Sequence, residues 1–122
     1  MEFTAVIKSI GAKAFEKHVY ILFDESITAD IAEVSIQQEF KDKENLAQFD
    51  IKAGDAIEID GQSFNVQQVG RLVNDNLKDI AHAVVMFGPI EGEPMENTIY
   101  LDGDKNQDHL FKSGSTITYK LK

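Results

Sequence analysis

The sequence predicts an all-β domain, a mainly antiparallel barrel or sandwich of short strands, with one short helix near residues 74–81. Three observations point there. Apolar, β-branched and aromatic residues recur in short runs bounded by Gly, Pro, Asn and Asp. The segment 55–69 alternates on both sides of an Asp60-Gly61 pair. No strand–helix alternation is long enough for a doubly wound sheet. With 122 residues the chain reads as one domain, 1–122, long enough to bury roughly two thirds of its unfolded surface.

Taken in order, residues 2–10 read as a strand with Phe3, Ala5 and Ile7 on one face, ended by Gly11. Residues 14–17 form a helical turn or a loop. Residues 18–23 are β-branched and aromatic, a buried strand closed by Asp24-Glu25. A weaker strand is expected over 32–37, followed by a charged, solvated loop over 41–45. In segment 55–69, Ile57 and Ile59 precede the turn, and Phe64 and Val66 follow it. Asp-Gly suits the two positive φ angles of a type I′ turn, so a hairpin is expected.

The stretch 69–87 organises the chain. Leu77, Ile80 and Ala81 give a short helix one apolar face, and Asn74 is the expected N-cap with Asp75 in the first turn. Residues 83–87 are apolar throughout, as in a central strand, and Gly88-Pro89 stops them. Residues 98–101 form another strand. Ile117, Tyr119 and Leu121 then alternate with polar residues, one face inward and one wet.

Composition narrows the function. Cysteine is absent, which excludes disulfides, thiolate metal sites and cysteine nucleophiles, and agrees with a cytoplasmic location. The N-terminus has no basic region followed by an apolar one, so no signal peptide is expected. No apolar run approaches the roughly 18 residues of a membrane span, so any membrane association would run through a partner. The net charge is −9 and Arg71 is the single arginine. Nucleic-acid binding needs clustered basic residues and is not expected. An acidic face meeting a basic protein partner is one consequence of this charge; solubility alone is the other.

Several stretches resemble one family. Val69-Gly70, Asp75-Asn76-Leu77 and His82 ahead of a strand, the hairpin 54–66, and the segments 97–101 and 113–118 are similar to the glucitol/sorbitol-specific enzyme IIA component of the bacterial sugar phosphotransferase system. The resemblance implies a phosphohistidine carrier that takes phosphate from the phosphocarrier protein HPr. It then passes the group to the B domain of a sugar permease, whose B and C components are the implied partners. No cofactor or metal is implied. An unperturbed imidazole is largely neutral near pH 7 and nucleophilic, and the transfer needs in-line geometry and little else.

One departure stands out. In the family, the accepting histidine follows a segment like Asp30-Ile31-Ala32-Glu33-Val34, which puts its position at Gln38. A carboxamide nitrogen has its lone pair delocalised into the carbonyl and does not accept phosphate at neutral pH. No histidine lies between His18 and His82, so shifting the match does not restore one. His82 matches a histidine of the family and is the candidate acceptor. The alternative is a strand-end histidine bonded to a neighbouring carbonyl or carboxylate. His18 is expected to be a partly buried packing residue, and His109 a surface residue.

Residues 102–108 space oxygens like the start of a calcium loop. Gln107 stands where the loop glycine belongs and Ser113 where the bidentate glutamate belongs, so a solvated turn is expected. Two functions follow. One is a IIA-type phosphoryl carrier using another acceptor; the other is a non-phosphorylated regulatory or binding protein on the same scaffold.

Overall fold

The computed structural model describes residues 1–122. The strands are β1 (Glu2–Ile10), β2 (Tyr20–Phe23), β3 (Ile36–Phe40), β4 (Ala56–Ile59), β5 (Gln62–Val69), β6 (Ala83–Phe87), β7 (Thr98–Leu101) and β8 (Thr116–Lys120). They close into a barrel in the order β1-β3-β2-β6-β7-β5-β4-β8. Closure removes the free edges that an open sandwich would leave. Six of the eight pairings are antiparallel, and β2–β3 and β6–β7 are parallel. Parallel neighbours need a crossover rather than a tight turn. Residues 24–35, including helix α1 (Ala29–Glu33), supply one, and the irregular stretch 88–97 supplies the other.

Alternation decides what fills the barrel. Phe3, Ala5 and Ile7 of β1, Tyr20 and Leu22 of β2, Ala83, Val85 and Phe87 of β6, and Ile117 and Tyr119 of β8 are buried in one continuous core. The hairpin β4–β5 turns on Asp60 (φ 50°) and Gly61 (φ 84°), with Ile59 opposite Gln62. Both central φ angles are positive, as a type I′ turn requires. The expected helix is α2 (Val73–Ile80), which buries Val73 and Leu77.

Three expectations are corrected. The strand expected over 32–37 starts later: residues 29–33 are helical, and β3 occupies 36–40. Ser35 Oγ donates to the Ile31 carbonyl at 2.6 Å, which holds the turn between them. Asn74 is not the N-cap of α2; Leu72 is, without a side-chain cap bond. The Asn74 amide instead brackets Ile51 across the chain, accepting from its N–H at 2.8 Å and donating to its carbonyl at 3.1 Å. His18 is exposed and precedes β2 rather than packing within it.

Candidate functional site

On β3 the inward positions are Ile36, Gln38 and Phe40, so the polar residue at 38 points into the barrel and is 1% exposed. Both polar atoms of its amide are bonded. Nε2 donates to the Ala81 carbonyl at 3.0 Å, and the Tyr119 hydroxyl donates to Oε1 at 2.9 Å. No buried side-chain polar atom in the chain is left without a partner, as a low-dielectric interior demands. Burial pushes the Tyr119 phenol well above its ordinary pKa, with the Gln38 bond pulling slightly the other way. The hydroxyl therefore remains a donor across the physiological range.

Gln38 also touches a cleft of about 610 Å³ whose apolar wall includes Phe40, Leu46, Leu77 and Ala81. Lys8, Lys43 and Lys78 line it, and none of these lysines forms an ion pair. Asp24, Glu25, Glu39 and Asp79 line it too, so the cleft carries both signs of charge.

His82 lies elsewhere. Helix α2 ends at Ala81, which takes the left-handed conformation (φ 52°) and turns the chain into β6. The His82 N–H bonds back to the Asn76 carbonyl at 3.2 Å, closing the helix end. Because Ala83, Val85 and Phe87 face inward, His82 shares the outward register with Val84 and Met86. It is half-buried and does not line the cleft.

The ring stacks on Phe23, with centroids 3.9 Å apart and planes at 12°. Its Nδ1 lies 2.9 Å from the Leu22 carbonyl. A carbonyl only accepts, so Nδ1 carries the proton, and in the neutral ring Nε2 presents its lone pair. No protein group bonds Nε2. The carbonyl partner expected of a strand-end histidine is thus present, and so is a free nucleophilic nitrogen. Gln38 and His82 meet only through the backbone: the Gln38 amide holds the carbonyl of the residue before His82.

A third arrangement joins residues far apart in the chain. Asp108 Oδ1 accepts from the Tyr20 hydroxyl at 2.6 Å and lies 3.1 Å from His18 Nδ1. The buried Tyr20 hydroxyl in turn accepts from the Gln107 N–H at 2.7 Å. Burial and the bond to Asp108 raise the Tyr20 phenol well above the usual tyrosine pKa. Partial desolvation pushes the Asp108 carboxyl up, but the bonds from Tyr20 and His18 and the charges of His18 and His109 outweigh it. Its pKa lies below the ordinary aspartate value.

A depressed carboxyl stabilises the fold above its unfolded pKa of about 3.9, and that contribution disappears as pH falls through the lower folded value. Asp108→Asn should therefore cost stability at neutral pH and flatten the acid limb below about pH 4. Urea unfolding of both proteins between about pH 3 and 7 measures this. Parallel acid limbs would contradict it.

His109 is exposed, as expected, although it neighbours Asp108. Asp102, the first oxygen of the calcium-like run, is tied by both carboxylate oxygens to Asn65, at 2.8 Å to its N–H and 3.0 Å to its amide. Asp108 is committed to Tyr20 and His18.

Residues 2–118 match the family described as the PTS system glucitol/sorbitol-specific IIA component. No curated protein matches the chain. The fold is similar to the crystal structure of a PTS system IIA component from Enterococcus faecalis V583, with a TM-score of 0.81 and 27% identity. That similarity covers 97% of this chain and 99% of the other.

Proposed function

The chain belongs to the glucitol/sorbitol-specific IIA family of the phosphotransferase system, and on that premise we propose that it is a phosphoryl carrier whose acceptor is His82. It takes phosphate from HPr and passes it to the B domain of a sugar permease. Position 38, where the family resemblance places the acceptor, holds an amide that is chemically inert toward phosphate and committed to Tyr119 and Ala81.

The observation that supports His82 is its fixed ring. The Leu22 carbonyl sets the tautomer and Phe23 sets the plane, leaving Nε2 unpaired on a half-buried surface. In-line transfer requires a nucleophilic lone pair held in one direction, and orientation of this kind accounts for much of the barrier reduction. The Nε2–P bond forms as the donor N–P bond breaks, and Nδ1 keeps its proton against Leu22. The family works with HPr and permease components in general, and no helix here is long and apolar enough to cross a membrane. A cytoplasmic carrier meeting the membrane through its permease partner fits both facts.

Incubation with phosphoenolpyruvate, enzyme I and HPr should label the chain. His82→Ala should cut labelling by about 10²-fold or more, since the nucleophile itself is gone. Labelling that survives the change removes His82 from the account.

The buried, satisfied Gln38 favours a second reading. A site that has lost its acceptor but kept its packing fits a non-phosphorylated regulatory or binding protein that still docks HPr or a permease domain. Complex formation without any labelling selects that reading.

A further inference from the structure

We propose that His18 is a second nucleophilic imidazole, backed by Asp108 and open at Nε2 to phosphoryl donors that carry a P–N bond. It is independent of His82. β2 pairs antiparallel with β6, with Tyr20 opposite Val85 and Leu22 opposite Ala83. His18 and His82 therefore sit beyond opposite ends of this strand pair.

Four observations converge on His18. Its backbone is left-handed, at φ 53°, a conformation that is strained for a non-glycine residue and persists only where its surroundings enforce it. Its Nδ1 faces a carboxylate oxygen at 3.1 Å, which holds a proton there and, in the neutral ring, leaves Nε2 with the lone pair. That carboxylate is itself immobilised by the Tyr20 hydroxyl, and Tyr20 is locked in the core by stacking on Phe111 at 4.4 Å. Finally, the His18 side chain is 43% exposed and borders a recess of about 320 Å³ shared with Lys17, Met86, Tyr100 and Lys105.

Glu91 and Glu93 also line this recess, but Lys105 pairs with Glu91 at 2.9 Å and Lys17 carries no ion pair. Two cations face two carboxylates across the recess, and Asp108 lies behind the ring, on the side away from Nε2.

The carboxylate matters because of where charge develops. The Nε2 lone pair attacks phosphorus and the Nε2–P bond forms. The P–N bond of the donor breaks, and its electron pair leaves with the nitrogen. For zwitterionic phosphoramidate the leaving group is ammonia, and no proton need move. The ring becomes a phosphoimidazolium whose positive charge faces Asp108. His82 has only a neutral carbonyl behind it, and His109 has no hydrogen-bonded partner.

The test uses the full chain and potassium phosphoramidate, with modification of each histidine followed in time by mass spectrometry. His18 should be modified several-fold faster than exposed His109. Asp108→Asn should slow His18 by about three- to tenfold while the His109 and His82 rates stay unchanged, and Asp108→Glu should recover part of the loss. A His18 rate no higher than that of His109, or one indifferent to Asp108→Asn, overturns the proposal. HPr takes no part, so failure here leaves the His82 relay untouched. Failure of HPr transfer likewise leaves His18 untouched.

Discussion

Gln38→Leu should lower the unfolding free energy by roughly 2–4 kcal/mol, although it nearly conserves volume and adds apolar surface. The change strands two buried groups at once. The Tyr119 hydroxyl loses its acceptor and the Ala81 carbonyl loses its donor, both on buried residues. Each orphaned group costs about 1–3 kcal/mol, whereas removing both partners of one bond is close to neutral. The double variant Gln38→Leu/Tyr119→Phe should therefore regain about 1 kcal/mol of the loss. Urea denaturation of the two variants and the parent measures the cycle. A stable Gln38→Leu protein would mean that position 38 is not a structural linchpin between β3, β8 and the end of α2.

Gly70→Ala should be at least as damaging, by about 3 kcal/mol. Gly70 lies where the chain leaves β5 for α2, against the segment before β7. Its N–H donates to the Thr98 carbonyl, and the Leu72 N–H donates to the Glu96 carbonyl. A Cβ at Gly70 would sit 2.2 Å from the Glu96 oxygen and 2.4 Å from the Met95 oxygen. Both obstacles are backbone, so no side-chain rotation relieves them. Either the two segments separate and lose these bonds, or the barrel seam between β5 and β7 distorts. An unfolding midpoint equal to the parent's would contradict this.

Where the fold was legible, a local pattern and a tertiary need agreed. Alternation around Asp60-Gly61 located the β4–β5 hairpin, and the apolar run at 83–87 located a strand of the barrel wall, β6. The closed barrel among the all-β possibilities, and its two parallel pairings, depend on long-range pairing that no short window contains. Residues 29–36 misled for a different reason. Ile31, Ala32, Val34 and Ile36 are spaced acceptably for a helical turn or a strand, and a five-residue helix is too short for periodicity to decide.

Asn74 has the chemistry of an N-cap, but the backbone of Ile51 arrives from a distant segment and takes its amide. The site residues divide the same way. His82 was visible because it stands at a helix–strand junction. Gln38 stood out only as a missing histidine, and its partners Ala81 and Tyr119 lie 43 and 81 residues away. The pairing of His18 with Asp108 spans 90 residues and leaves no local trace.

The central claim is that phosphate on this scaffold travels on His82 and not at position 38. The most direct measurement is transfer from phosphorylated HPr to the intact chain, followed by mapping the phosphorylated residue by mass spectrometry under alkaline conditions that preserve phosphohistidine. The account predicts phosphate from HPr on Nε2 of His82. A chain that binds HPr yet stays unlabelled, or that carries the label with His82 unmodified, would contradict it.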